Sequence, residues 1–199
     1  MLHKVLASLL ALFTMAFCPA AFAGSYGEVQ LAPSYKNTYT IATSAFTVVA
    51  SPTDIFQIYG SSTKTVKILR IECRGITTTG YSNYPLFVLR RSTANSGGTS
   101  TTLTPRPLDT NSAAATCTAK NYTANPTTGS LVGTIVSTVA NTADPTGTVV
   151  TNNVVFDADK YGQAIVLRGT SEGCVINLNG VSTPNTIDKM VITATVTEE

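Results

Sequence analysis

The chain has 199 residues with 13 Lys and Arg against 11 Asp and Glu, a formal net charge of +2, one histidine and no tryptophan. His3 lies in a segment with the features of an export signal, so we expect no imidazole in the mature chain. This excludes Ser-His-Asp and Cys-His catalysis and histidine-ligated metals. Dispersed Lys and Arg at near-zero net charge also argue against a nucleic-acid binder, which needs a basic stripe.

Residues 1–23 are interpreted as a cleaved secretory signal peptide. A short basic start precedes an apolar run from Val5 to Phe17, and Ala21–Ala23 supplies a small-x-small cleavage site. The apolar run is shorter than the roughly 20 residues that span a bilayer. We therefore expect an exported protein, either periplasmic, at the cell surface or extracellular, with no stable membrane insertion.

Residues 24–199 are predicted to form a single all-β domain. Thr, Ser, Asn and Val are abundant, and no long segment shows a 3.6-residue apolar period. The domain begins with an N-terminal extension, residues 24–36, in which Val29 and Leu31 alternate with polar residues until Pro33 ends the run. This extension is predicted either to pair with its own sheet or to act as a strand that contacts a neighbouring subunit.

Four strands are predicted in the first half of the domain: Tyr39–Val49, Asp54–Tyr59, Thr65–Cys73 and Tyr84–Arg90. The third strand changes phase, because its apolar residues share one face up to Ile68 and the other face from Leu69 onward. This change predicts either a β-bulge at Ile68–Leu69 or a strand that is buried on both faces.

Residues 92–129, which we call the excursion, are rich in Ser, Thr and Gly and poor in large apolar residues. A connection of this length is predicted to be a functional surface arm or an irregular edge of the sheet. Disorder is the alternative interpretation. Leu103, Leu108 and Cys117 offer anchor points against it.

The second half has predicted strands at Leu131–Thr138, Val149–Phe156, Gln163–Arg168, Cys174–Leu178 and along the C-terminus from Lys189. The Gly-bounded connection Gly169–Gly173 predicts that its two flanking strands pair as a hairpin. In the C-terminal strand, apolar residues alternate from Met190 to Val196, which predicts one buried and one mostly exposed face.

Roughly nine to ten short strands without crossover helices predict an antiparallel β-sandwich. A jelly-roll-like arrangement is favoured over an immunoglobulin-like one, because the buried Trp of the latter is absent.

Cys73, Cys117 and Cys174 remain once the signal segment is removed. Since an exported chain meets oxidising conditions, we expect one disulfide and one free thiol. A Cys73–Cys117 bond is favoured because it would pin the excursion to a core strand, at about 4 kcal/mol in the chain-entropy model. Cys174 is then a buried, inert thiol. A Cys73–Cys174 bond is the alternative, and intermolecular pairing through the odd thiol is also open.

No catalytic constellation is visible, and we expect a non-enzymatic protein with no cofactor and no metal. Asp157 and Asp159 form an acidic cluster without the further oxygen ligands of a calcium loop, and it is interpreted as a polar turn. Ser61–Lys64 is interpreted as a turn at the start of a strand. Gly97–Gly98 has no following helix that would make a phosphate site.

Tyr81 and Tyr84 flank a short Ser-Asn loop and form a candidate ligand-binding lip. Tyrosine is also common at the edges of sandwiches, which is the alternative interpretation.

Several stretches resemble a group of small β-rich proteins encoded by phages and prophages. They are Ser51–Phe56, Lys64–Glu72, Leu89–Thr99, Val166–Gly169 and Val175–Gly180. The resemblance implies a virion-associated or surface structural protein and brings no catalytic residue with it. The export signal is a departure, since tailed-phage particles assemble in the cytoplasm. It favours a role at the cell surface, in the periplasm or in a secreted fibre.

These features predict an exported structural or assembly protein, such as a surface, fibre or virion-like coat subunit. Its partners would be copies of itself or other surface or virion proteins, contacted through sheet surfaces and edges. The alternative is a secreted ligand- or glycan-binding or adhesion module that uses Tyr81, Tyr84 and the excursion.

Overall fold

The computed structural model describes residues 36–48, 53–76, 83–143, 153–178 and 189–199. Of the residues that the structure describes, 60% lie in strands and 3% in a helix, and the strands form two antiparallel sheets of six strands each. Sheet A contains β1 (Thr38–Ala42), β3 (Thr65–Ile76), β6 (Arg106–Pro107), β9 (Asn153–Asp157), β10 (Ile165–Arg168) and β12 (Lys189–Glu198). Sheet B contains β2 (Asp54–Tyr59), β4 (Asn83–Arg91), β5 (Ser100–Leu103), β7 (Thr118–Tyr122), β8 (Leu131–Ala143) and β11 (Gly173–Asn177). A short helix, α1 (Ala158–Tyr161), follows β9.

The strand order is that of a jelly roll. Sheet A runs β6-β1-β12-β3, with β9 and β10 both on the far side of β3, and sheet B runs β5-β7-β2-β11-β4-β8. Leaving out β5, β6 and β7 and counting β9 with β10 as one interrupted strand leaves eight main strands. Numbered 1 to 8 in chain order, these strands are arranged 1-8-3-6 in sheet A and 2-7-4-5 in sheet B. This double Greek key confirms the predicted fold class.

The apolar core fills the space between the two sheets. In β12 the predicted alternation is confirmed, because every second residue from Met190 to Val196 is buried. On the opposite sheet, Phe56 and Ile58 of β2 and Ile176 of β11 face the same core. Burial of such side chains stabilises the fold by about 1.5–3 kcal/mol each.

The predicted change of phase in β3 is a β-bulge. Thr195 of β12 pairs with Arg70 and Val196 pairs with Ile68, so Leu69 is the extra residue. Both halves of β3 therefore turn apolar side chains toward the core.

The predicted hairpin around Gly169–Gly173 is wrong. Strand β10 pairs with β3 in sheet A, whereas β11 pairs with β2 and β4 in sheet B. The connection crosses from one sheet to the other, and Gly169 adopts a φ of 75° there, which favours glycine. Glu172 accepts a hydrogen bond from the Arg168 amide and forms an ion pair with Arg90 of β4, so it ties this crossing to both sheets.

The described residues contain twelve strands rather than the predicted nine to ten, because the excursion adds β5, β6 and β7. These strands are short and polar, so their periodicity is weak in the sequence. They lie at the outer margins of the sheets, which agrees with the predicted irregular edge. The first predicted strand is shorter than expected, since regular pairing ends at Ala42 and only Phe46 forms a further bridge, to Met190.

Candidate functional site

Strand β8 forms one edge of sheet B and has 13 residues. One of its sides pairs with β4 from Leu131 to Asn141. On the other side, pairing with described strands is limited to Thr142 and Ala143, which meet the end of β3. The stretch from Leu131 to Ala140 therefore has one side that no described strand covers.

Two β-bulges limit the regular part of β8. Register shifts leave Val132 and Ile135 without a cross-strand partner on β4. Bulges bend a strand and increase its twist. From Val136 to Asn141 the pairing with β4 is regular. We call Val136–Asn141 the β8 edge.

A hydrogen bond at the end of the β8 edge shows which backbone groups face outward. The Asn153 side-chain amide donates to the Asn141 carbonyl at 2.8 Å, so that carbonyl points away from β4. Backbone groups in an antiparallel ladder alternate between the two sides of a strand. The N–H and C=O groups of Val139 and Ser137 therefore also point away from β4, toward the uncovered side.

The β8 edge lacks charge and proline, two of the features that usually protect edge strands, although the bulges at Val132 and Ile135 lie beside it. The sequence of β8, LVGTIVSTVANTA, contains no charged residue and no proline. Leu131, Val132 and Val139 are 57%, 60% and 63% exposed. On β4, Pro85 lies opposite Val139 and Phe87 opposite Ser137. An uncharged edge thus borders an apolar strip on the outer face of sheet B.

The margins formed by β5 and β6 are better protected. Strand β6 is two residues long and consists of Arg106 and Pro107. Strand β5 is four residues long, and Ser100, Thr101 and Thr102 are all exposed. Short length, charge and proline are the usual defences of an edge against further pairing.

A buried carboxylate on the outer face of sheet B holds the excursion in place. Asp54 is completely buried and accepts two hydrogen bonds from Arg91, at 2.7 and 2.8 Å. The side-chain amides of Asn95 and Asn177 donate to it at 2.9 and 2.7 Å. Burial of an ion pair is tolerated when the geometry is bidentate and the remaining acceptors are satisfied, as here.

The same group fixes both ends of the excursion. Arg91 also donates to the Gly129 carbonyl at 2.8 Å, and Asn95 accepts from the Gly129 amide at 2.8 Å. Asp54 reaches this face because β2 has a bulge at Ile55, shown by the register shift opposite Asn177. Sequence reasoning missed this network, because Asp54 had only been assigned as the first residue of a strand.

A second buried carboxylate holds the middle of the excursion. Glu198 accepts hydrogen bonds from the Thr116 amide at 2.8 Å, the Cys117 amide at 2.6 Å and the Thr116 hydroxyl at 3.0 Å. The Lys64 ammonium lies 3.4 Å away. Burial raises the pKa of Glu198, but the hydrogen bonds from Cys117 and Thr116 outweigh burial, so the pKa lies below its usual value.

The alternation of buried residues in β12 is a sequence signal for the Glu198 contact. Glu198 continues the alternation of buried residues from Met190 to Val196, so its position predicts an inward-facing side chain. A charged residue on a buried face requires a partner.

The predicted disulfides are wrong. Cys73, Cys117 and Cys174 are all free and buried, so neither the Cys73–Cys117 bond nor the Cys73–Cys174 bond forms. Cys73 lies in sheet A and Cys174 in sheet B, and the Cys117 amide is bonded to Glu198. Hydrogen bonds and ion pairs, rather than a covalent bond, anchor the excursion.

The three thiols are unreactive in the folded chain. Burial raises the pKa of Cys73, and it raises the pKa of Cys174 to about 12. The pKa of Cys117 is raised to about 12 by burial and by the Glu198 carboxylate. The thiolate is the nucleophilic form of cysteine, and a raised pKa disfavours it. The inertness predicted for Cys174 therefore extends to all three cysteines. Their burial also opposes disulfide bonds between molecules.

The candidate ligand lip is not formed by Tyr84. This side chain is 1% exposed and packs in the core between the sheets. Its position in β4 turns it inward together with Leu86. Tyr81, the other lip residue, lies outside the described residues, as do Val29 and Leu31 of the predicted contact strand.

Asp157 and Ser61, from the acidic cluster and the strand-entry turn of the sequence, have local structural roles. Asp157 caps α1 by accepting a hydrogen bond from the Asp159 amide at 3.0 Å. Ser61 accepts hydrogen bonds from the amides of Thr63 and Lys64, which confirms the turn interpretation. The part of the chain that the structure describes contains no group of three or more potential metal ligands.

No helix among the described residues combines the length and the apolar character needed to cross a membrane. Comparisons with protein-family models, with curated proteins and with solved structures give no match. The resemblance to phage-encoded proteins therefore stays a prediction.

Proposed function

We propose that this protein is an exported, non-enzymatic structural subunit of a surface, fibre or coat assembly. It associates with copies of itself, or with other surface or virion proteins, through its sheet edges. The observation that carries this proposal is the β8 edge, a regular and uncharged edge with outward-facing backbone groups.

An uncovered edge of this kind has a thermodynamic consequence. When its amide and carbonyl groups pair with another strand, they exchange hydrogen bonds to water for ladder bonds, and each ladder bond contributes about 0.5–1.5 kcal/mol net. Monomeric proteins usually place Lys, Pro or a very short strand at such edges. The absence of charge and proline along β8 is therefore typical of an edge that accepts another strand.

The remainder of the domain supports a subunit rather than a catalyst. The excursion is anchored by Asp54 and Glu198, whereas the β8 margin of sheet B is not covered by any described strand. An edge that accepts one strand forms a defined contact. The fold is also used by lectins, so the fold alone does not decide the function.

The glycan-binding alternative has less support. Tyr84 is buried, so one half of its proposed lip is lost. A shallow groove lies beside Tyr59, but that ring is 7% exposed and the Lys120 ammonium sits 5.7 Å from its centre. The Tyr59 hydroxyl is bonded to the Tyr122 hydroxyl at 2.7 Å. A sugar has no free aromatic face to stack on there.

The proposal is tested by the assembly state of the purified exported protein, followed by sedimentation velocity and negative-stain microscopy. We expect oligomers for the natural sequence and monomers for Val139→Lys, since a charge on the β8 edge opposes strand pairing. Thr101→Lys, which adds the same charge to exposed β5, is the matched control and leaves the oligomers intact. A monomer at every concentration for the natural sequence contradicts the proposal.

A further inference from the structure

The groove beside Tyr59 lies where three segments of the chain meet. The end of β2 supplies Tyr59 and Gly60, β7 and the residues before it supply a second wall, and the connection between β10 and β11 supplies Thr170. The groove has a volume of about 220 Å³. We call it the Lys120 groove, and its lining residues are Tyr59, Gly60, Thr116, Thr118, Lys120 and Thr170.

The alternation of β7 turns Thr118 and Lys120 toward the groove. Ala119 pairs with Ile58, and both are completely buried in the core between the sheets. The neighbours of Ala119 therefore point to the outer face of sheet B. Thr118 pairs with Tyr59, so Lys120 is the diagonal neighbour of the Tyr59 ring and reaches over it.

The other walls are fixed by contacts within the chain. The Gly60 amide donates to the Glu172 carbonyl at 3.0 Å, and a Cβ on Gly60 would collide with the Gly169 carbonyl. Only glycine permits this approach, which holds the connection between β10 and β11 against β2. Thr116 is held by Glu198, which accepts hydrogen bonds from its amide and its hydroxyl. The fold itself therefore sets the shape of the groove.

Lys120 lacks the partner that comparable cations have. Its side chain is half-buried, its ammonium lies 5.7 Å from the centre of the Tyr59 ring, and no described residue accepts a hydrogen bond from its three N–H groups. Every other buried or half-buried lysine or arginine in the described ranges forms an ion pair with a carboxylate: Lys64, Lys67, Arg90 and Arg91. A half-buried ammonium is partly dehydrated, so an anion bound in the groove would stabilise it.

The remaining polar groups define which anion matches the groove. The hydroxyls of Thr118 and Thr170 are not bonded to any residue that the structure describes. A hydroxyl both donates and accepts, so this pair matches a ligand that carries its own hydroxyls next to the charge. A phosphate carries close to two charges and is bound best by arginine or by a helix N-terminus. Neither of these lines the groove, whereas one ammonium matches one carboxylate.

We infer that the Lys120 groove binds a sugar acid, which is a sugar ring that carries one carboxylate. The carboxylate pairs with the Lys120 ammonium, and the ring hydroxyls bond to Thr118 and Thr170. The volume of the groove is below the roughly 300–1,000 Å³ of pockets for drug-sized ligands, which fits a single ring. Recognition here depends on charge rather than on stacking, because the ammonium covers the Tyr59 ring.

This inference goes beyond the proposed function and does not rest on it. The groove lies at the β2–β7 side of sheet B, whereas the β8 edge lies at the opposite margin. Ligand binding and association are therefore measured separately. A protein that binds a sugar acid and stays monomeric supports the inference and contradicts the proposed function.

Titration of the purified exported protein with glucuronate tests the inference. Nuclear magnetic resonance of the isotope-labelled protein follows the amides of Gly60, Lys120 and Thr170. We expect saturable shifts with a dissociation constant on the order of 1 mM, as for a ligand of about 13 non-hydrogen atoms. Glucose lacks the carboxylate and should bind at least about tenfold more weakly. Equal affinities for the two sugars, or no saturable shift with glucuronate, overturn the inference.

Lys120→Met separates the charge from the shape of the groove. Methionine keeps a long unbranched side chain beside Tyr59 but has no ammonium, so we expect the dissociation constant for glucuronate to rise at least about tenfold. Lys160→Met removes an exposed lysine of α1 and, as the matched control, keeps the natural affinity. An unchanged dissociation constant in Lys120→Met contradicts the inference.

Thr118→Val provides a second test that leaves the charge in place. It removes one hydroxyl and keeps the branched shape, so we expect the dissociation constant for glucuronate to rise about threefold or more. The spectrum of each variant also shows whether it is folded. Full affinity in a folded Thr118→Val contradicts the contact between this hydroxyl and the sugar ring.

Two further ligands define the chemistry and the source of the anion. If glucose 6-phosphate binds more tightly than glucuronate, the groove selects phosphate and the inference is wrong. An oligosaccharide that contains glucuronate distinguishes a unit of a polysaccharide from a free sugar acid. Tighter binding of the oligosaccharide identifies the polysaccharide as the source, binding of the monosaccharide alone identifies the free acid, and either result supports the inference.

Discussion

The two margins of sheet B differ in how they are completed. At one margin, β5, β7 and the excursion are held by buried carboxylates, with Asp54 at the ends and Glu198 in the middle. At the other margin, β8 has neither a covering segment among the described residues nor a charged side chain. The first margin is completed by contacts within the chain, and we propose that the second is completed on contact with another molecule.

This difference separates folding from assembly. The Asp54 and Glu198 carboxylates in the first margin are buried and hydrogen-bonded, so removing either of them leaves buried donors without an acceptor. The outward side chains of the β8 edge, Ser137 and Val139, are exposed and uncharged, so changing them alters little in the monomer, whereas Val136 and Ala140 are buried in the core. We therefore expect variants at the first margin to lower the free energy of unfolding and variants at β8 to change association.

The largest effect is expected for Asp54→Ala. The change leaves Arg91 buried without its carboxylate and removes the acceptor of the Asn95 and Asn177 side-chain amides, so the free energy of unfolding should fall by about 3–5 kcal/mol. Chemical denaturation of the purified protein measures it. Asp159→Ala, at an exposed carboxylate, is the control and should stay within about 0.5 kcal/mol. A loss below about 1 kcal/mol for Asp54→Ala would show that the network adds little.

Glu198→Ala should have the next largest effect. It leaves the amides of Thr116 and Cys117 without their acceptor, at a cost of about 2–3 kcal/mol. The neighbouring Glu199→Ala removes ion pairs with Lys36 and Lys67 that are partly exposed, and should cost no more than about 1 kcal/mol. Equal losses for the two variants would contradict the role given to Glu198.

The stability of the first margin should also depend on pH. The pKa of Glu198 is lowered in the folded chain, so this carboxylate contributes stability that is complete above its unfolded value of 4.5 and is lost as the pH falls through the lower folded value. Denaturation curves measured across acidic pH check this. In Glu198→Gln this part of the acid dependence should disappear, and an identical pH profile would refute the assignment.

The smallest effect on stability is expected at β8. Val139 is 63% exposed, so Val139→Lys should change the free energy of unfolding of the monomer by no more than about 0.5 kcal/mol. Measurement at concentrations where the natural protein is monomeric isolates this term. A loss comparable to that of Asp54→Ala would mean that β8 belongs to the folding core, and the distinction between the two margins would fail.

The residues inside the jelly roll were readable from local pattern. Strand β2 has the predicted bounds, Asp54–Tyr59, and the β3 bulge falls at Leu69 as its change of phase indicated. Period-2 alternation records burial directly, because side chains in a strand point alternately to the two faces of the sheet. That information is local, so one sequence suffices.

Pairing partners were not readable in this way. The Gly169–Gly173 connection has the composition of a hairpin turn, yet it joins strands of different sheets. The cysteines suggested a covalent tie for the excursion, and carboxylates supply it instead. Turn composition and cysteine count indicate which pairings are possible for a segment. Which strand or side chain the segment actually contacts depends on residues far away in the chain.

The sequence by itself determined that this chain is an all-β sandwich, because composition and alternation act residue by residue. Only the tertiary structure decided which edge no described strand covers and which buried charges meet. Asp54 and Asn177, like Cys117 and Glu198, are distant in sequence. Their contacts follow from the closure of the jelly roll, which brings remote strands together and leaves β8 at the edge.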